Sequence, residues 1–339
     1  MADKRLSAAS FAFDAKAFDL EAWLQHVAPE EPCFIYERAS TRTRAPLRSF
    51  IGFGHPATGA VAAGADPFGG LRAAIATAAS SPSGPQAVFA FLSYEALTGS
   101  ELGADTPRQL FLRPDILVDL DHEAGTASLT GNGAASEAVR RSFSSAGPPS
   151  SAADATPADD GDGAVPAWTQ APTQAEFTAK ILALKREIAG GGTVVGAALS
   201  VVLSGALDVA PLRAYRALRR INPSTCMFFV RDGAFALWGA TSLPVFRTEG
   251  RQIVAETDGA TRRVAPGGTA PWVPDSKEIA EYDLVVSALR EDLAGIIEDG
   301  SLHFIADREA RQYFNLQHLF AEVEARWRAA SMPSRRCSA

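Results

Sequence analysis

The sequence predicts a mixed α/β (α+β) chain, and three observations predict it. Short apolar runs rich in Phe, Ile, Val and Tyr, each bounded by Gly, Pro or Asp, read as strands. Between them lie longer stretches whose apolar residues recur at the spacing of an amphipathic helix. With 339 residues and 47% hydrophobic content the chain carries enough apolar material for a large core.

In order, PCFIYERAS, LRSFIGFG, QAVFAFLSYEAL and FLRPDILVDLD are the strand-like runs of an N-terminal part, residues 1–141, with DPFGGLRAAIATAASS as a helix among them. Residues 142–166, SFSSAGPPSSAADATPADDGDGAVP, hold almost nothing large and apolar, which reads as a disordered linker. A C-terminal part, residues 167–330, opens with the helix TQAEFTAKILALKREIAGGG, whose stripe of Phe177, Ile181, Leu184 and Ile188 is ended by glycines. Strand-like TVVGAALSVVL, helical APLRAYRALRRINP, and strand-like CMFFVRDGAFALWGA and RQIVAETD follow. The segment KEIAEYDLVVSALREDLAGIIEDG is the longest clear helix, ended by Glu-Asp-Gly, and NLQHLFAEVEARWRAA reads as a last helical segment. Residues 331–339 have no apolar period and read as an unstructured tail.

Charge and cysteine usage exclude several classes of partner. A net charge of −7, from 32 Lys plus Arg against 39 Asp plus Glu, leaves no cationic surplus to neutralise a nucleic-acid backbone or an anionic membrane. Cys33, Cys226 and Cys337 are odd in number and lack the close spacing of a zinc site, so they read as reduced thiols. The N-terminus has no uninterrupted apolar core of a signal peptide, and no window reaches the roughly 20 apolar residues of a membrane span. The expectation is a soluble, cytoplasmic protein.

Two groups of residues are candidates for chemistry. Glu278 and Glu281 stand just inside the helix that begins near Asp275. They read either as metal ligands or as helix-start residues, with Asp275 and Glu278 forming a capping box at the positive end of the dipole. His318 lies in the apolar run from Leu316 to Phe320 and, from the residues alone, reads as a hydrogen-bonded core residue.

Several blocks resemble one family, the chorismate-binding enzymes, and within it the large subunit (component I) of anthranilate synthase. PCFIYERA and RSFIGFGHP resemble "FLLES…RYSFIG", and FLSYEAL resembles "GYLSYD". INPSTCMFFVRDGAFALWGA is similar to "NPSPYMFF…LFGAS", DGATRR to "IAGTR", KEIAEYDLVVSALREDL to "KERAEHLMLVDLARNDL", and YFNLQHLFAEV to "YSHVMHLVSEV".

The resemblance implies a single α/β body of two large, mainly antiparallel sheets packed face to face with helices outside. It implies conversion of chorismate to anthranilate and pyruvate, with Mg²⁺ and ammonia from a glutamine amidotransferase subunit. Carried over by position, Glu278 and Glu281 are the metal-site glutamates, Glu281 being the expected ligand. His318 is the active-site histidine, Thr261 and Arg262 face the substrate, and Arg290 and Asp292 are retained helix residues of the substrate site.

The departures fall on chemical positions. Leu243 stands where the family has the glutamate of "GASPE", and a leucine cannot donate a proton. Gly196 and Val202 replace the Gln and Arg of "QVVLSQRF"; Tyr282, Ser287 and Glu291 replace the helix His, Asp and Asn; Arg38 replaces the serine of "LLES". The "PAGTVSGAPK" and "GAGIV" blocks and the further acidic helix do not occur in this chain. The expectation is therefore weak or absent turnover, with a non-catalytic chorismate-binding or regulatory subunit, or an aminodeoxychorismate synthase-like relative, as alternatives.

Overall fold

The computed structural model describes residues 9–12, 20, 23, 33–40, 43, 45–54, 66–80, 84–98, 106–131, 133–145, 167–191, 197, 199–264, 272–313 and 316–328. The body of the expected linker (146–166), the tail (331–339) and Gly196 lie outside the described residues.

The N-terminal part contributes β1 (Ala9–Ala12), β2 (Phe34–Ala39), β3 (Pro46–Phe53), α1 (Pro67–Ala79), β4 (Phe89–Leu92), α2 (Tyr94–Thr98), β5 (Gln109–Leu112), β6 (Ile116–Asp121), β7 (Thr126–Gly131) and α3 (Gly133–Ser145). The run FLRPDILVDLD divides into β5 and β6 around Pro114, which has no N–H for a ladder. The end of α3 occupies the first residues of the stretch expected to be a linker.

After it come β8 (Thr169–Ala171), α4 (Gln174–Ala189), β9 (Val202–Ser204), α5 (Pro211–Ile221), β10 (Cys226–Asp232), β11 (Phe235–Thr241), β12 (Phe246–Glu249), β13 (Gln252–Arg263), α6 (Ser276–Ala294), β14 (His303–Tyr313) and β15 (Leu316–Arg326).

A seven-stranded sheet runs in the order β1-β7-β6-β3-β2-β10-β11, and a four-stranded sheet in the order β12-β13-β15-β14. Pairings in both are antiparallel. The β2–β10 ladder, Phe34 opposite Val230 and Arg38 opposite Cys226, puts strands from either side of the 142–166 stretch into one sheet. Behind the large sheet Ile35, Ile51, Phe53, Val118, Leu120 and Phe229 pack with Trp23 and with Tyr215 of α5. Arg219 of α5 grips Glu37 of β2 through two hydrogen bonds, 2.6 and 2.7 Å, and the Tyr215 hydroxyl bonds the same carboxylate.

Three expectations are corrected. Asn315 to Ala330 was expected to be a helix, and its described part is the strand β15. Leu319, Ala321, Val323 and Ala325 alternate with His318, Glu322 and Glu324, and a position between β13 and β14 rewards that period of two more than helix propensity rewards Leu, Ala and Glu. Second, α6 stops at Ala294 rather than at Gly300: Ile297 turns inward, buried and bridged to Trp327, and the Glu298 amide donates to the Arg326 carbonyl. Third, among the described residues of TVVGAALSVVL only Val202 and Leu203 lie in a strand, the exposed β9 paired with β8.

The helix α4 forms as expected, with Thr173 and Glu176 as a capping box, yet no residue of its apolar stripe is fully buried. Phe177, Ile181 and Leu184 of that stripe are half-buried.

Candidate functional site

The small sheet has two chemically different faces. On one, Ile253, Ala255, Leu319, Ala321, Val323 and Ala325 pack against Tyr282, Val286 and Leu293 of α6. The pleat sends alternate residues to the other face, which carries Glu256, Asp258, Thr261, His318 and Glu322. Arg311 of β14 joins them opposite His318.

A β-bulge sets this arrangement. Between Gly259 and Thr261 the β13 register shifts, with Ala260 in the left-handed region at φ 55°. The extra residue brings Thr261, rather than Ala260, to the face that carries Asp258. Gly259 allows the close approach beneath: a Cβ there would lie 2.8 Å from the Tyr282 Cα.

Thr261 Oγ1 lies 3.0 Å from His318 Nδ1, and Asp258 Oδ2 lies 3.7 Å from the same nitrogen. The Ser242 hydroxyl, from the segment leaving β11, donates to Asp258 Oδ2 at 2.7 Å. The His318 side chain is 14% exposed and that of Asp258 25%, so the group is sheltered and still reachable by solvent.

Farther along the same face, Arg247 of β12 donates to Glu322 at 2.9 Å and approaches Glu256 at 3.6 Å. Arg311 lies 2.8 Å from Glu309, 3.6 Å from Glu322, and over the Phe320 ring. Burial, with the neighbouring Glu322 charge, holds the Glu256 carboxyl above its ordinary value against the guanidinia of Arg247, Arg311 and Arg38.

Of the residues singled out in the sequence, Thr261 and His318 meet. Arg262, next along β13, points away from them: its Nε donates to Gln317 at 3.0 Å and its guanidinium lies over Trp272. Arg290 is exposed and covers the Phe304 ring, and Asp292 is exposed. Glu278 closes the capping box: its carboxylate accepts from the Asp275 amide at 2.8 Å and Trp272 Nε1 at 3.0 Å, while its own amide donates to Asp275. Glu281 pairs with Lys277 at 3.2 Å on an exposed face.

Tyr282 is a buried anchor whose hydroxyl donates to Asp307 at 2.6 Å and accepts from the Arg308 amide at 2.8 Å. Burial pushes that hydroxyl's pKa up. Asp258, Ser242, Glu256, Glu322 and Arg311 escaped the sequence reading. The signal available was the alternation of charge in RQIVAETD and AEVEAR, which marks a strand with a polar face.

Magnesium prefers oxygen ligands and takes few of them from a protein. Here Glu278 is committed to the helix start and Glu281 to Lys277, and no group of three or more His, Cys, Asp or Glu suited to a metal occurs among the described residues. These residues alone do not fit a magnesium centre.

The family model described as chorismate binding enzyme matches residues 31–335. The chain belongs to the chorismate binding enzyme family. Among curated relatives, anthranilate synthase component 1 of Streptomyces coelicolor is 29% identical over 360 residues, covering 92% of this chain and 67% of that protein. The Thermus thermophilus component 1 is 29% identical over 142 residues, 39% of this chain and 30% of that protein.

In fold, the chain is similar to anthranilate synthase component I of Streptococcus pneumoniae, with a TM-score of 0.61 at 17% identity over 97% of this chain and 70% of that one. The menaquinone-specific isochorismate synthase of Escherichia coli gives a TM-score of 0.59 at 16% identity, over 95% of this chain and 71% of that one. The mixed α/β fold with antiparallel sheets expected for a chorismate-binding enzyme is thus borne out. Against these solved relatives the chain spans about seven tenths of their length. No helix among the described residues is long and apolar enough to cross a membrane.

Proposed function

We propose that this family member binds chorismate, or a closely similar cyclohexadiene dicarboxylate, over the polar face of the β13–β15–β14 sheet, as an anthranilate synthase component I-like protein with weak or no turnover. The pairing of Thr261 with His318 across β13 and β15, at 3.0 Å, carries the reading. It brings together two residues far apart in sequence that the family resemblance had independently assigned to the substrate site.

The lineage reaction would form anthranilate and pyruvate from chorismate and ammonia, the latter delivered by a glutamine amidotransferase subunit. Leu243 argues for slow chemistry, because it stands beside Ser242 where the resemblance calls for a proton-donating carboxyl. Losing a positioned general acid forfeits about 10²–10⁴-fold in rate. The engagement of Glu278 by the helix start argues the same way and favours, as a second reading, a binding or regulatory subunit without turnover.

Calorimetric titration with chorismate, with and without Mg²⁺, tests the reading, alongside anthranilate fluorescence in excess ammonium. Heat of binding with slow or absent fluorescence growth is expected. No heat under either condition would remove chorismate as the ligand, and anthranilate formation at the rate of an ordinary synthase would overturn the claim of weak turnover.

A further inference from the structure

We propose that Asp258 is a specificity-determining residue of the site: its carboxylate accepts a hydrogen bond from a ring hydroxyl of the ligand and turns the ligand's own carboxylates away. The inference rests on the chorismate reading above and names the part of that ligand which β13 selects.

The segment leaving β11 is fastened at Ser242. Its carbonyl accepts from the hydroxyl of the buried Thr225, and its own hydroxyl donates to Asp258 Oδ2 at 2.7 Å. Among the described residues only Ser242 hydrogen-bonds this carboxylate, since His318 Nδ1, at 3.7 Å from Oδ2, is beyond that distance. A proton given to one carboxylate oxygen from a fixed hydroxyl sets the rotation of the group. The second oxygen, Oδ1, then stands on a partly exposed side chain with no donor among the described residues.

The β13 bulge at Ala260 puts Asp258 and Thr261 on one face of the sheet. An acceptor therefore stands beside a hydroxyl that can donate or accept. An ionised carboxylate accepts hydrogen bonds and cannot donate one. Chorismate presents to it carboxylates, which it repels, and a ring hydroxyl, which it attracts. Only one end of the ligand is compatible with that oxygen.

Leu243 follows Ser242 in the chain and stands where the family resemblance calls for a carboxyl. A leucine offers a ligand hydroxyl nothing. Here the carboxylate comes instead from β13, held in place by the residue beside that leucine. It grips the hydroxyl as an acceptor and supplies no proton for its departure, which agrees with binding accompanied by slow turnover.

The test is calorimetric titration of the full chain with chorismate, with its ring-deoxy analogue, and with the ring methyl ether, which keeps the oxygen and loses the proton. The wild type is expected to bind chorismate about tenfold to a hundredfold more tightly than either, the span of a hydrogen bond to a charged group. Asp258→Ala is expected to bring the ratio of the deoxy and chorismate Kd values close to one. Ser242→Ala is expected to lower the ratio in part, and Ser242→Thr to retain it. A ratio between two ligands on one protein cancels a general loss of stability, so a merely structural role for Asp258 would leave it unchanged.

Equal binding of chorismate and the deoxy analogue by the wild type overturns the proposal whether or not the variants fold, and leaves the chorismate reading standing. An ether bound as tightly as chorismate overturns it too, because the ligand oxygen would then be accepting from the protein. So does a folded Asp258→Ala protein that keeps the wild-type ratio. A wild type that binds none of the three overturns the chorismate reading and this assignment together.

Discussion

Gly259 of β13 and Tyr282 of α6 touch backbone to backbone: a Cβ built at Gly259 would lie 2.8 Å from the Tyr282 Cα and 3.0 Å from a Val285 methyl. The helix and the site-bearing strand can be this close only because residue 259 has no side chain. Gly259→Ala is therefore expected to destabilise the fold by about 1–3 kcal/mol, the usual range for overpacking. A lower urea midpoint with an unchanged slope would register it; an unchanged midpoint would show that the helix simply moves aside.

The neighbouring Ala260 gives a sharper contrast. Its left-handed backbone, φ 55°, costs about 1–2 kcal/mol for an alanine. Ala260→Gly relieves that strain but loses a buried methyl, about 0.8 kcal/mol, and adds about 0.5–1 kcal/mol of chain entropy. The gains and losses nearly cancel, so a near-neutral effect is expected. Ala260→Val, a branched side chain in the same buried and left-handed position, is expected to cost about 2 kcal/mol. Thermal melts of the two variants side by side measure the difference.

The two helix glutamates should separate by role. Glu278→Ala removes half of a capping box and the Trp272 contact and should cost about 1 kcal/mol. Glu281→Ala removes one exposed pair with Lys277, worth about 0.3–0.5 kcal/mol. Millimolar Mg²⁺ is expected to leave the melting temperature of the wild type and of Glu281→Gln unchanged. A magnesium-dependent rise confined to the wild type would restore Glu281 as a ligand.

Glu256 fixes the sign of a pH dependence. Its folded-state carboxyl is held above the ordinary 4.5 by burial first and by the Glu322 charge second. Over the window from that ordinary value upward, the native state retains a proton that the unfolded chain has released. This group's contribution therefore falls as pH rises through the window. Glu256→Gln removes the slope, so the variant is expected to gain stability relative to the wild type at neutral pH, and the gain should vanish below pH 4.5. Urea titrations at several pH values read it directly.

Cys33 is buried beneath the large sheet, and burial pushes its thiol up to about 12; burial also raises Cys226. Thiolate is the reactive form, so neither should alkylate in the native protein at mildly alkaline pH. Peptide mass spectrometry after iodoacetamide treatment is expected to find both unmodified until denaturant is added.

The sequence alone determined the mixed α/β class, most strands and helices, and the family. Those follow from local physics and motif order: the short apolar runs of β2 and β3, the capping box at Asp275, and the Gly, Pro and Asp residues that bound the strands. Tertiary structure alone decided that Leu316 to Arg326 is a strand, because its cross-strand partners outweigh the helix preference of Leu, Ala and Glu. It alone sent Arg262 to the face opposite His318, since neighbours along a strand point apart. It alone brought Ser242, just after β11 of one sheet, to Asp258 on β13 of the other. A contact across sheets depends on how strands far apart in sequence pack, and no window of local sequence carries that distance.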